Sequence, residues 1–410
     1  MMNKKILIIT LCIVSLILVS GCGSENARPD TVMPESSSES LQVETTSPEQ
    51  QEKELQFEDL IFNHSMELLY ANQFSVDYYE GGYKYITIEG DQKFLLVPEN
   101  ADVPKTEEDV VILQQPLDRI YLVATAAMDY FLQLNSLERI TLSSQKENNW
   151  YLEEARQAME DGRMKYAGKY STPDYELILS EGCDLAIENT MIYHTPDVLE
   201  QLKKLGIPYL VEMSSYETEP FGRMEWLKLY AALVEKDEEA EQHFADLMQR
   251  LQTVLDQEPT GLKTAFFYIN SQGAVNVRKS ADYVAKAIKI AGGDYVSFDE
   301  SGEENALSTM TIQMESFYAG ARDADVLIYN STIEGELETV EQLLEKSSLL
   351  ADFKAVQEGN VWCIEKNFYQ ESLELGDMIL DINKILTDPD VKEEELHFLH
   401  RLKAQEGSDQ

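Results

Sequence analysis

The sequence predicts an α/β protein of two Rossmann-like lobes with mostly parallel sheets, joined by a single long α-helix, with the ligand cleft between the lobes. Three observations predict it. Asp184-Leu185-Ala186-Ile187-Glu188-Asn189-Thr190 aligns without a gap on Asp325-Val326-Leu327-Ile328-Tyr329-Asn330-Ser331. Each copy is an acidic residue, a short apolar strand and a small polar turn. Strand and helix patterns alternate from Arg119 onward, the grammar of a parallel sheet covered by helices. Residues 223–257 contain no Gly or Pro and divide that alternation in two.

The N-terminus reads as an export signal. Lys4 and Lys5 precede an apolar run from Ile6 to Val19 and then Ser20-Gly21-Cys22, the three parts of a secretory signal. About fourteen apolar positions are too few to span a bilayer. Cys22 after Ser-Gly resembles a bacterial lipobox, which implies lipidation at Cys22; the alternative is an ordinary signal with an incidental Cys. Residues 1–21 are thus the signal peptide and 22–57 a disordered tether, since Ser, Glu, Gln, Thr and Pro bury too little surface to offset ordering entropy. The expected location is the outer face of the cell membrane.

The net charge of −42 argues against nucleic acid, which needs a basic surface. It fits a solvated surface that resists association, and a monomer is expected. Of four Cys, Cys12 leaves with the signal and Cys22 is lipidated. Cys183 and Cys363 fall in different lobes, so two free thiols are expected rather than a disulfide framework or Cys-based metal site.

Further along, Phe74–Tyr79, Tyr83–Ile88 and Lys93–Val97 read as antiparallel strands around Gly81-Gly82 and Gly90-Asp91. The first lobe, 58–222, then runs strand Ile120–Val123, helix Thr125–Leu134, strand Arg139–Leu142, helix Tyr151–Met159, helix Tyr175–Leu179, the first repeated strand, helix Val198–Leu205 and strand Ile207–Val211. Residues 223–258 are expected as helices meeting near Lys236. Asp237 would cap the second, of about twenty residues. Glu219 and Arg223 are placed to pair at the helix start. The second lobe, 259–390, repeats the alternation from strand Thr264–Ile269 to helix Leu373–Leu386, and 391–410 reads as an acidic tail.

Lipobox, tether, lobe, long helix, lobe: this order resembles the substrate-binding lipoproteins of ABC importers. More narrowly it resembles the class III periplasmic binding proteins that carry ferric siderophores, haem and cobalamin. Pro173-Asp174-Tyr175-Glu176-Leu177-Ile178-Leu179 followed by Cys183-Asp184-Leu185-Ala186-Ile187 is similar to one family element. Leu202-Lys203-Lys204-Leu205-Gly206-Ile207-Pro208 is similar to another, and Met314-Glu315 through Asp323-Ala324-Asp325-Val326-Leu327-Ile328 to the matching element of the second lobe. Cys183 and Ala324 depart from the Pro common before that Asp. The resemblance covers Arg119 to Leu386 and implies a stiff hinge. It also implies that Glu176 and Glu315 dock the permease dimer that works with an ATPase. The alternative is that both are helix-start carboxylates favoured by the dipole.

Ligand contacts are sought in loops after strands: Trp150, Tyr151, Met191, Tyr193, His194, Arg278, Tyr283 and Tyr369. Aromatics with a few basic groups suit a flat chelate, and core or rim packing is the competing account of each. Basic residues cluster at Arg156, Arg163, Lys165 and Lys169, and at Lys279, Lys286 and Lys289 beside Arg278. They give either local positive potential or solvated helix faces. With five His in the chain and only His194 near the cleft, no His-rich metal site is expected. No resident cofactor or catalytic residue is expected either; haem held by His194 or Tyr193 stays open as a ligand.

The leading reading is capture of an iron chelate and delivery to a permease. The alternatives are a ligand-sensing receptor without transport and an extracellular α/β enzyme acting on a metal chelate. The enzyme lacks support, since neither a Gly-x-Ser-x-Gly nor a phosphate loop occurs. Cys22→Ala should release the protein from membranes into the medium; a variant that stays in the membrane fraction would rule out the lipid anchor.

Overall fold

The computed structural model describes residues 54–89, 91–299 and 309–404. The signal segment, Cys22 and most of the tether lie outside these residues. Order begins before the expected tether end at 57. Gln56 forms a bridge with Lys105, and the Phe57 ring packs on Tyr79 and Tyr85 at 5.5 and 5.1 Å.

The main sheet of the first lobe has five parallel strands. Their order is Tyr209–Val211, Leu185–Glu188, Ile120–Leu122, Ile140–Ser143, Lys165–Tyr166. The second lobe is more mixed than expected. Lys263–Ile269, Val326–Tyr329 and Val361–Ile364 are parallel, while Thr309–Ile312, Val275–Arg278 and Leu399–Arg401 are antiparallel to their neighbours. The hairpin after Ile269 needs only a short turn, in which Gly273 takes φ 78°, a left-handed value cheap for glycine. The stretch 391–410 is therefore not a tail in its described part. Phe398, Leu399 and Leu402 are buried, because apolar residues sit among the acidic ones and close the sheet edge. His400 pins this strand, with Nδ1 2.7 Å from Glu365 Oε1 and Nε2 2.7 Å from the Leu337 carbonyl. The Cys363 thiol, the Glu365 carboxylate and that carbonyl together hold the imidazole protonated far above its ordinary range.

The repeat is structural as well as sequential. Leu185–Glu188 and Val326–Tyr329 are each buried throughout, as strands covered on both faces must be. Asp184 N–H donates to the Arg119 carbonyl, and Asp325 N–H to that of Lys263. Each Asp carboxylate accepts the amide at its partner's position, Arg119 at 3.0 Å and Lys263 at 2.8 Å. Each then binds a cation, Arg119 or Lys354, at 2.5 Å. Asn189 and Asn330 cap the following turns by accepting from Met191 and Thr332 N–H. The positions ending the strands, Glu188 and Tyr329, carry buried polar atoms without hydrogen-bond partners among the described residues. Burial alone pushes the Glu188 carboxyl up to about 8.

The added N-terminal segment forms its own five-stranded sheet. It comprises Phe62–Ser65, Phe74–Tyr79, Lys84–Ile88, Gln92–Val97 and Val110–Gln114 in chain order, with the last pair parallel. This sheet covers the connection between the lobes. That connection is three helices rather than one: Pro220–Glu225, Leu227–Val234 and Asp237–Leu255. The break falls at Glu235, with φ 62°, beside the expected Lys236 junction. All eight residues of the middle helix are buried, and the Phe74 ring meets Trp226 at 5.1 Å. Asp237 does not cap its helix. It pairs with Lys84 at 2.7 Å and accepts from Tyr78 Oη at 2.6 Å. Glu219 does not pair with Arg223 but with Lys286, at 2.6 Å.

Two carboxylates of the connection hold the turn between the first two strands of the added sheet. Glu225 accepts from the Leu69, Tyr70 and Ala71 amides at 2.8–3.1 Å. Glu217 accepts from Asn72 and Gln73 N–H at 3.0–3.1 Å, and from Trp226 Nε1 at 2.9 Å. A Cβ on Gly222 would lie 2.9 Å from the Tyr70 carbonyl oxygen, so the close approach needs glycine there. Cys183 and Cys363 are free, as expected, with Cys183 only partly covered.

Glu225→Ala should cost about 3–5 kcal/mol, since it removes the buried carboxylate that three backbone amides donate to and one of the two carboxylates beside the Lys228 ammonium. Glu176→Ala, at an exposed position, should stay within about 0.5 kcal/mol. Equal denaturant midpoints for the two variants would refute this brace. For Glu188 the sign follows from an acid raised in the fold above its ordinary 4.5. Between 4.5 and about 8 the unfolded chain ionises while the fold keeps its proton, so stability falls as pH rises through that window. The loss is roughly 3 kcal/mol by pH 7. Glu188→Gln should flatten this slope; denaturation series from pH 5 to 8 with parallel slopes would disprove it.

Candidate functional site between the lobes

In open α/β sheets ligands bind beyond the carboxyl ends of the strands. Here the loops leaving those ends in the two lobes face each other. The second lobe sends the segment after Val361–Ile364 across the seam. Gln370 is fully buried. Its Oε1 accepts from Tyr151 N–H at 2.8 Å and its Nε2 donates to the Asn149 carbonyl at 2.8 Å. Leu373 N–H donates to Asp129 Oδ2 at 2.7 Å, and Gln133 Nε2 to Glu374 Oε1 at 3.0 Å. Short stems on both sides thus set the spacing of the lobes.

Of the expected ligand residues, Tyr151 and Tyr369 meet across the seam, ring centroids 6.0 Å apart and edge-on, with both rings partly exposed. Met191, Tyr193 and His194 are exposed on the turn Thr190–His194 that follows the first repeated strand. Trp150 is corrected: it is 1% exposed, part of the first lobe's core, because its apolar neighbours close over it while Tyr151 turns outward. Arg278 and Tyr283 are also committed elsewhere. The Arg278 guanidinium pairs with Asp282 at 3.3 Å, and the Tyr283 ring lies between Arg278 and Arg223, at 5.8 and 4.6 Å. This stack joins the connecting helices to the second lobe.

Part of each basic cluster is paired locally. Arg156 pairs with Glu153, Arg163 with Asp161, Lys165 with Glu181 and Lys286 with Glu219.

Beside the Gln370 seam lies a crevice of about 550 Å³ with walls from both lobes, a size suited to a small molecule. The first lobe contributes Asp129, Gln133 and an apolar floor with Leu132 and Leu152, and the second contributes Glu371, Glu374 and His397. Burial raises Asp129 to about 6. Burial, then the hydrogen-bonded Asp377, raises Glu374 to about 8. The Glu371 carboxylate, against burial, raises His397 above its ordinary value. Sequence reading missed these residues because they come from segments some 240 positions apart. The one available signal was the acidic run Glu371, Glu374, Asp377 at the start of the closing helix. Among the described residues no group of three His, Cys, Asp or Glu is placed to hold a metal ion.

Glu176 and Glu315 are both exposed, each the second residue of the helix that precedes a repeated strand. The helix runs back toward the next strand's start, so its first turn lies at the carboxyl edge of the sheet. The two carboxylates therefore occupy equivalent places at the same edge of each lobe.

Known proteins share this architecture. The profile of the family described as "Periplasmic binding protein" matches residues 123–367. An uncharacterized lipoprotein of Methanocaldococcus jannaschii, MJ0878, is 27% identical, over 97% of this chain and 96% of its own. The periplasmic haem binding protein HutB of Vibrio cholerae superposes with TM-score 0.54 at 16% identity, over 66% of this chain and all of its own. A periplasmic haem binding protein from Pseudomonas aeruginosa superposes at 0.55 and 16%, covering 70% and 98%. At such identities the solved structures share the fold alone. The matched residues span both lobes and the connection between them, and the chain belongs to the periplasmic binding protein family.

Proposed function

We propose that this protein is the lipid-anchored receptor of an ABC importer that captures an iron chelate, a ferric siderophore first and haem or cobalamin next. It delivers the chelate to a membrane permease. The observation that carries this reading is the pair of facing loop sets, bridged by Gln370 and bordered by the exposed aromatics Tyr151, Tyr193 and Tyr369, in a family of periplasmic binding proteins. Two solved relatives of the same fold are haem binding proteins by name, which supports a chelate as ligand. Nothing in the arrangement calls for bond making or breaking; the loops capture and release.

Delivery assigns roles to Glu176 and Glu315. Two carboxylates at equivalent edges can straddle a permease dimer and meet a basic pocket on each subunit. Lobe closure is small in this reading, because the added sheet grips the connection that would have to bend.

Calorimetric titration against ferric siderophores, haem and cobalamin tests the ligand class, and micromolar or tighter affinity for one of them is expected. Absence of binding by all would sink the chelate reading. The Glu176→Gln/Glu315→Gln pair should bind ligand normally yet fail in cellular uptake; uptake at the wild-type rate would remove the docking role.

A further inference from the structure

We infer that the ligand presents a carboxylate to Arg223 and Arg278, so that the chelate is one with acidic groups on its rim. This deepens the receptor reading and rests on it for the rest of the ligand.

Both lobes and the connection meet at this pair. Arg223 lies in the first connecting helix, Pro220–Glu225, Arg278 ends the second-lobe strand Val275–Arg278, and Tyr283 opens the helix Tyr283–Ile290. The Arg223 guanidinium carbon is 4.6 Å from the Tyr283 ring centroid and that of Arg278 is 5.8 Å from it. The first lobe reaches the same point, since Tyr130 Oη donates to the Arg223 carbonyl at 2.8 Å. The seam adjoins it, because Arg223 Nη2 donates to Ser372 Oγ at 3.3 Å. Ser372 is three positions after Tyr369, a stretch that spans roughly 10 Å at most. The guanidinium therefore lies near the exposed aromatic edge formed by Tyr151 and Tyr369.

Most of the donors of the two forks are unused. Among the described residues the Arg223 guanidinium donates to Ser372 alone, and Glu212 and Asp282 act on it from beyond contact. Arg278 uses Nη1, on Asp282 Oδ2 at 3.3 Å, while Asp282 Oδ1 is taken by Val284 N–H at 2.8 Å. Both arginines are half-buried, and none of their nitrogens is among the enclosed atoms that lack a partner. Nε and Nη1 of Arg223, and Nε and Nη2 of Arg278, are therefore open to solvent. In a chain with 75 acidic side chains other arginines find a carboxylate: Arg119 meets Asp184, Arg163 meets Asp161 and Arg250 meets Asp377. Arg223 reaches none, and it shares one ring with a second cation that repels it. A carboxylate from outside relieves that repulsion and takes N–H donors side by side, the arrangement a planar fork favours. An ammonium arm would add to the repulsion, and an uncharged arm would leave it in place.

The test uses five probes on the full chain: ferric dicitrate and haem, which carry carboxylates, and haem dimethyl ester, ferric desferrioxamine B and cobalamin, which carry none. Ferric dicitrate or haem should bind with micromolar or tighter affinity, at least tenfold tighter than any of the other three. Which of the two binds tells whether the carboxylate belongs to an iron-chelating acid or to a porphyrin. In Arg223→Gln and in Arg278→Gln that affinity should fall at least tenfold, with the thermal transition still cooperative. Should either variant misfold, phenylglyoxal labelling of the wild type replaces it, read by peptide mass spectrometry. Both arginines should react in the free protein, and the bound chelate should slow their reaction at least threefold. Equal binding of haem and its dimethyl ester, or tighter binding of ferric desferrioxamine B or cobalamin, would overturn the inference and leave the receptor reading standing. So would folded arginine variants with unchanged affinity, or labelling that the bound chelate does not slow. Failure of all five probes would remove both.

Discussion

Five consecutive backbone amides, Leu69 to Gln73, end on two buried carboxylates, Glu225 and Glu217. The rest of the architecture depends on that clamp. It fastens a sheet of five strands across the connection between the lobes. The middle connecting helix can then be apolar on every side, because it has no solvent face to satisfy. A helix of that kind left bare would expose Leu227, Leu229, Tyr230 and Leu233, all buried here. The added sheet is the reason the connection can be broken into three helices and still keep two lobes in register.

A braced connection places the burden of function on the seam. Gln370 inserts between the lobes with both ends of its amide satisfied, and Asp129 meets Leu373 on the same line. These contacts are few, polar and made by buried side chains. The Arg223–Tyr283–Arg278 stack and the Asp282 pair tie the connecting helices to the second lobe, and Arg223 Nη2 also donates to Ser372 Oγ of the seam segment at 3.3 Å. Of the residues expected at the ligand, Arg278 and Tyr283 also make the contacts of this joint, and Trp150 is buried in the core. Tyr151 and Tyr369 meet edge-on across the seam, each partly exposed beside a buried neighbour, Trp150 and Gln370.

How much of this was legible depends on the range of the interaction involved. The repeated strand could be read with its acidic start and its Asn cap, since each is a contact between near neighbours or a pattern of burial. The break near Lys236 could be read from the change of apolar stripe. The closing strand Leu399–Arg401 could not, because its apolar residues are interleaved with charged ones and three residues carry too short a period. The Asn270–Ala274 hairpin was missed for a similar reason. The acidic crevice was out of reach, as its walls come from opposite ends of the α/β region.

By itself the sequence determined the two-lobed plan, the repeat that relates the lobes, and the equivalence of Glu176 and Glu315. Those follow from periodicity, and periodicity is local. Only the tertiary structure decided which charges are used. Glu219 goes to Lys286, Asp237 to Lys84, and Glu217 and Glu225 to amides some 150 positions away. In a chain with 75 acidic and 33 basic side chains, most carboxylates have no cation available. Which of them find backbone donors, and which are left facing a cavity, is set by how the sheets pack.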